Sequence, residues 1–472
     1  MKVNTLLSQS AAKATLGVAI LASTTLGASA CNETENACHD SNGVRVCGEI
    51  GTALFTVDMA STPIEWPPVA VQEGGLIVAR GDQLLRISKS GVVTPMGNAG
   101  QDLTVPSSDE AGNLYLIGGG SAGSQVRALN GQSLGDARWQ QNLSGAPVGT
   151  PATVGEKTVY AATTDWTSQS TLYALNRSDG KVLFTRVGAS PAAVLPDGSI
   201  RYLSGNAGSE NVFNTENATT KVFKSLVAED ASGKVLWTLP ATQGFIDFAP
   251  GPKGDTFAVT GGDHVLQRVS AEGKIKWTFT PDCNNCTVAA APTVTRDTVY
   301  FPVWERKVEP IDPLYAIDAE TGKKAWVYNG FATTKTSYSG SKLLTPGGSA
   351  DTPVDKFKTQ HHPAGRPVVA QDGTLYVATD GALSALDKNG QVVGLAIYDA
   401  SAGEVSLATG FMAQPATWIN PGVRPSPVLA PDGTLYVWDG AQLRAFDAGK
   451  PAIDSAWVAP FGSPRNDGRI PR

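Results

Sequence analysis

Cysteine and histidine carry the most chemistry per residue here, and the chain has five of the first and four of the second. Cys283-Asn-Asn-Cys286 has the spacing of thiol redox motifs and of metal ligands. Redox work needs a lowered thiol pKa, commonly supplied by a helix N-terminus. The residues that follow, Thr287-Val-Ala-Ala-Ala-Pro292, carry no helical period, so the pair reads as a structural disulfide. His361-His362 invites a metal together with Asp351 or Asp355, but adjacent side chains on an extended chain point to opposite sides. Cys38-His39 would suit covalent haem only with a cysteine three residues upstream, where Glu35 stands. There is no glycine-rich phosphate loop and no nucleophile elbow. No catalytic, cofactor-binding or metal residue is therefore expected.

The N-terminus has a different task. Lys2 and Lys13 precede an uncharged run of small apolar residues over 14–26, and Ala28-Ser29-Ala30 supplies a small-residue cleavage site. Residues 1–30 read as a secretory signal. Cys31 comes next, as at the end of a bacterial lipobox, although Ala28 stands where a branched residue is usual. Acylation of Cys31 would put the protein on a membrane and leave four cysteines. These pair by proximity as Cys38–Cys47 and Cys283–Cys286, which suits an oxidising compartment. Residues 31–62 hold no repeat and read as a tether with a small disulfide loop. The expectation is an exported lipoprotein, periplasm-facing or surface-exposed, at the outer membrane.

The elements that must position everything else are strands. Only 17% of residues are charged, with 51 Gly and 30 Pro, and the formal net charge is −6. That composition favours short strands and turns, and no basic run suggests a nucleic-acid partner. One strand type recurs eight times, among them Asn113-Leu-Tyr-Leu116, Thr158-Val-Tyr-Ala161, Thr298-Val-Tyr-Phe301, Thr374-Leu-Tyr-Val377 and Thr434-Leu-Tyr-Val437. A third strand, a glycine turn and an aromatic follow. Trp139, Trp237, Trp277, Trp326 and Trp457 share this last slot, and their expected role is packing. A four-stranded unit repeating every 40 to 50 residues or so means a β-propeller. The expected fold is all-β: an eight-bladed propeller of four-stranded antiparallel blades, one domain over 63–472, a monomeric ring.

Ala316-x-Asp318-x-x-Thr321-Gly322-x-x-x-Trp326 is the full form of the unit, and the tail carries Trp457, Phe461, Asn466, Gly468 and Arg469. With these motifs, residues 66–469 resemble the quinoprotein-like (PQQ-repeat) propellers. That family includes quinone-dependent dehydrogenases and non-enzymatic scaffolds, among them the lipoproteins of the outer-membrane β-barrel assembly machinery. The dehydrogenases hold PQQ and calcium in a central pocket beside a vicinal cysteine pair. This chain has no Cys-Cys dipeptide and no recognisable calcium constellation. No cofactor is expected, PQQ and calcium remaining the requirement of the alternative oxidoreductase reading. A carbohydrate-binding or adhesion module is the third reading.

Extra length gathers at 204–220, 304–313, 330–366 and 399–425. In an antiparallel meander those connections fall on one face, and loops on a rigid scaffold are where binding residues concentrate. Trp166, Trp304 and Trp418 sit there outside the packing slot. They are the candidate contacts for an envelope protein partner.

Overall fold

The computed structural model describes residues 38–453, apart from 42–43, 49, 60–67, 72–73, 101–102, 121–122, 131–136, 166–168, 212–218, 283–285, 289–290, 306–312, 339–352, 362–365, 380–381, 398–426 and 439–441. Apart from one short 3-10 turn, its elements are all strands. They form antiparallel sheets, most of whose strands follow chain order. One unit shows the logic of all. Thr293–Val294, Thr298–Glu305, Leu314–Asp318 and Lys324–Tyr328 pair in sequence. The turn before the outer strand is built by Asp318, whose carboxylate accepts from the Thr321 backbone and hydroxyl, both at 2.7 Å. Gly322 follows at φ +72°, a left-handed value that favours glycine.

Across this unit Tyr300, Ala316 and Trp326 lie side by side. Alanine leaves the two rings room to meet at 5.9 Å. The same row recurs as Tyr115–Ala128–Trp139 and Tyr160–Ala174–Phe184, with ring distances of 6.4 and 6.5 Å. Each outer ring then reaches beyond its own blade. The indole N–H groups of Trp139, Trp237, Trp277 and Trp326 donate to the carbonyls of Arg177, Ala271, Ala319 and Lys388 in the next glycine turn. The sequence suggests an indole lying back across its own hairpin; the structure adds a second seat on the following blade. Apolar clusters likewise bridge neighbours, as where Tyr300 and Leu314 meet Val369 and Leu375.

Some blades depart from the row, and one does so with a buried charge. Arg201 stands where its neighbours carry Tyr or Phe, opposite Ala228 and Trp237. It is 2% exposed, its guanidinium lies 5.1 Å from the indole centre, and it donates to the Gly254 carbonyl at 3.3 Å. Burial lowers its pKa, with only Asp197 opposing. Arg201→Tyr, which restores the row, is expected to be neutral or stabilising by about 1–2 kcal/mol, as when other buried charges are replaced by packed groups. Arg201→Ala should instead cost about 2–4 kcal/mol through the cavity. Urea titration of both variants checks this; a Tyr variant weaker than the Ala variant would contradict it.

Two features join blades in ways the repeat pattern does not announce. Val235–Pro250 is one continuous strand, the outer strand of one blade at Trp237 and the inner strand of the next at Ala249. The ring is closed by the N-terminal region. Thr52–Asp58 pairs with Gln442–Asp447 as the outer strand of the final blade. Phe55 lies opposite Ala445 and beside Tyr436 at 6.3 Å, in the slot the sequence assigns to Trp457. Its ring seats on Gly91 of the opening blade, and Lys89 pairs with Asp432 across the same join at 2.9 Å. Trp457 lies outside the described residues.

The reading of 31–62 as a tether is corrected accordingly for Cys38–Ser41, Val44–Gly48 and Thr52–Asp58, which are ladder strands. Val44–Gly48 pairs with Val392–Ile397, and Cys38–Ser41 pairs with Val44–Gly48, so a hairpin extends that blade by two strands. Cys38 and Cys47 are direct cross-strand partners.

Candidate partner-binding face

Strands alternate in direction, so the connection from second to third strand and the one from outer strand to next blade share a face. The tight turns share the other. On the first face the added length is largely extra strand. Ile200–Asn211 and Thr219–Glu229 continue their ladder as far as Asn211 opposite Thr219. Cys286–Val288 adds to the end of Thr298–Glu305, and Ala146–Pro147 adds to Thr163 and Thr164. Phe331–Tyr338 and Pro353–His361 form a separate two-stranded hairpin.

Of the three expected contact residues, the structure describes the backbone of Trp304. Trp304 lies in the ladder opposite Thr287. Trp166 falls outside the described residues; beside it, the Asp165 N–H donates to the Gln169 carbonyl at 3.0 Å and the Gln169 N–H to the Asp165 carboxylate at 2.8 Å. Trp418 and Cys31 also lie outside the described residues. Cys286 is disulfide-bonded; Cys283, its expected partner, is not described. Just upstream, the Asp282 carboxylate pairs with Lys324 and accepts from the Tyr315 hydroxyl at 2.7 Å. Those two hydrogen bonds, Lys324 first, hold its pKa below the usual carboxylate value. The approach to Cys283 is thus fixed to the blade that follows.

The structure also brings forward charged groups that sequence reasoning missed. Asp247 and Arg366 hold the same position in their respective repeats, two residues before the inner-strand residues Ala249 and Val368. An intervening blade separates their strands. The Arg366 guanidinium nevertheless reaches the Asp247 carboxylate at 3.4 Å. Burial raises the Asp247 pKa against the pull of Arg366, although 32% of the Asp247 side chain remains open. Thr293 of the intervening blade donates to the Pro367 carbonyl at 2.9 Å, locking the approach of that strand. Lys221, on the extended hairpin, is 8% exposed, and its ammonium lies 3.5 Å from the Ser170 hydroxyl. Burial lowers its pKa and Asp165 opposes this. Aligning the repeats would have flagged Asp247 and Arg366, because other copies carry Pro151 and Pro191 there. Such groups can orient a charged segment of a partner. Among the described residues, no cluster of three or more His, Cys, Asp or Glu is placed to hold a metal ion.

A family model described as "Outer membrane protein assembly factor BamB" matches residues 204–339. No curated protein matches. Among solved structures, the quinohemoprotein alcohol dehydrogenase of Comamonas testosteroni is similar with TM-score 0.53 at 13% identity, over 85% of this chain and 77% of its own. The quinohemoprotein alcohol dehydrogenase ADHIIG of Pseudomonas putida HK5 gives 0.50 at 12% identity, over 86% and 78%. BamB from Moraxella catarrhalis gives 0.48 at 13%, over 84% and 99%. The chain has a β-propeller fold, and its residues 204–339 resemble the BamB family model.

Proposed function

We propose that this protein is an exported, lipid-anchored scaffold that presents its strand-extended face to a protein partner at the cell envelope. The observation that carries the reading is the one-sided placement of the extensions at 204–229, 286–305 and 331–361. The family match, whose description names an outer-membrane assembly factor, covers the first two of these extensions and the start of the third. Cys31 supplies the anchor, and the Cys38–Cys47 and Cys283–Cys286 disulfides fit an oxidising compartment. Register supports the first pair, since directly opposed strand residues have Cα atoms about 4.5–5.5 Å apart, within disulfide reach.

Replacing Trp166, Trp304 and Trp418 together by Ala is expected to abolish capture of the envelope partner with little change in melting temperature. Interface tryptophans can each contribute about 2 kcal/mol or more, roughly thirtyfold in affinity. Changing Asp197 or Asp372 on the opposite turns should leave capture intact. Undiminished capture by the triple variant would reject the tryptophan-dependent face. Intact mass of the mature protein tests the anchor, as does release from membranes by Cys31→Ser.

A quinone-dependent oxidoreductase is the competing reading, favoured by the likeness to the quinohemoprotein alcohol dehydrogenases. Purification with a bound quinone chromophore and stoichiometric metal would replace the scaffold by that enzyme.

A further inference from the structure

Gln442–Asp447 is the third strand of the final blade, and in the other blades a tight turn and an outer strand follow. Here the chain goes elsewhere. Thr52–Asp58 already holds the outer position, and beyond Asp447 the backbone passes along the turns toward the axis of the ring. The Ala448 N–H donates to the Gly433 carbonyl at 3.1 Å, and Lys450 pairs with Asp372 of the neighbouring blade at 2.5 Å. A short ladder with the innermost strand of the 368–397 blade comes next. The Gln371 N–H donates to the Pro451 carbonyl and the Ile453 N–H to the Val369 carbonyl, both at 2.9 Å, around Ala370 opposite Ala452.

The edge and the direction of this ladder fix where the chain is heading. Val368–Val369 uses one edge for Leu375–Thr379 and is the last strand of its sheet. The edge that takes Pro451–Ile453 therefore faces the axis, where a propeller has its central channel. An inner strand starts at the strand-extended face and ends at the tight turns. The added ladder is antiparallel to it, so Pro451–Ile453 rises from the turn face into the channel. Ile453 packs there against two of the apolar clusters that bridge neighbouring blades.

The residues that follow have both reason and reach to stay. Trp457 cannot take the outer slot of the final blade, because Phe55 holds it. Four residues past Ile453, it lies at most about 14 Å from this anchor. Trp457, Val458 and Phe461 are large apolar side chains, of the kind that proteins bury on average. Extended, residues 454–472 would span about 60 Å. The stretch 366–371, from the far mouth to the turn, spans only about 20 Å. The segment is thus long enough to run the whole depth of the ring.

We infer that residues 454–472 are the channel's own occupant: the segment enters from the turn face along the innermost strand of the 368–397 blade and holds Trp457 and Phe461 inside the ring. The site is separate from the strand-extended face, and its failure would leave partner capture there standing. It bears instead on the competing enzyme reading, because a quinone would have to displace Trp457 to enter the bore.

The test uses the full mature chain with the photo-crosslinking residue p-benzoylphenylalanine in place of Trp457. Irradiation is expected to give crosslinks within one chain, to inner strands such as 293–295 and 366–371. Amide exchange over 454–462 of the unmodified chain should be slowed roughly tenfold or more relative to an unstructured peptide of the same sequence. Ile453→Asp, which puts a charge at the entry, should lose both the crosslinks and the protection while the ring keeps one cooperative unfolding transition. Should that variant unfold, the crosslinks and exchange of the chain with Ile453 intact decide alone. Crosslinks to outer strands, exchange at the rate of the free peptide, or protection unchanged by Ile453→Asp would each overturn the assignment. Crosslinks between two chains would overturn it as well, by placing Trp457 against a second copy.

Discussion

Removing residues 38–59 is expected to abolish the cooperative unfolding transition of the ring. Relinking the same segment after Ala448 in a permuted chain is expected to restore it. The segment supplies the outer strand of the final blade and two anchors at its ends: Ile50, fully buried against the 368–397 blade, and Met59, 1% exposed among residues of the final and opening blades. Phe55 between them is the ring that seats on Gly91. Truncating either buried anchor to Ala should cost about 2–5 kcal/mol, as large-to-small core changes do. That is a large part of a typical domain's stability of about 5–15 kcal/mol. Urea titration followed by tryptophan fluorescence gives the measurement. A deletion variant that unfolds as steeply as the full chain would show that closure lies elsewhere. A permuted chain that fails to fold while Phe55→Ala is harmless would do the same.

The second large effect lies in the glycine turns. A Cβ built on Gly180, Gly273, Gly322 or Gly390 would stand 2.5–2.6 Å from an atom of Trp139, Trp237, Trp277 or Trp326 respectively, and each glycine has φ between +72° and +78°. Two separate terms therefore oppose a side chain there. The left-handed backbone costs about 1–2 kcal/mol, and the collision with a packed indole about 1–3 kcal/mol more. Gly322→Ala should lose the sum, and Trp277→Ala about 2–4 kcal/mol for its half-buried ring and its hydrogen bond to the Ala319 carbonyl. In the double variant the collision is gone and only the backbone term remains. The cycle should show a coupling of about 1 kcal/mol or more. Strict additivity would mean that the indole does not rest on the glycine.

These two regions also show what a sequence can and cannot disclose. The Tyr–Ala–Trp row is legible because several copies repeat it at a fixed offset from their own turn. Where the indole goes afterwards is not, since the contact is with the next copy and leaves no local trace beyond the glycine itself. Phe55 was harder still. Thr52–Asp58 has no repeat turn before it, and its alternation is blurred by Leu54 beside Ala53 and Phe55. Its partner lies almost at the other end of the chain. The available clue was an incomplete final copy, with no aromatic four residues after its turn glycine, Gly449. In the 368–397 blade Gly394 stands opposite Ala385 where other copies carry an aromatic, and nothing local in the sequence announces the strand that occupies the edge of that blade. On the candidate face, spacing located the insertions but not their conversion into ladder extensions, which depends on pairing rather than composition.

The closing strand has a consequence for how the molecule comes into being. Thr52–Asp58 is among the first parts of the ring to be synthesised, and Gln442–Asp447 emerges roughly 390 residues later. At about 5–20 residues per second the first waits some 20–80 s for the second. During that interval the nascent ring has two raw sheet edges, and the wait cannot be shortened by faster local folding because the missing contact joins strands far apart in sequence. The ring therefore completes only after synthesis is essentially over. Whatever shields its edges until then is as much a determinant of yield as the stability of the finished fold.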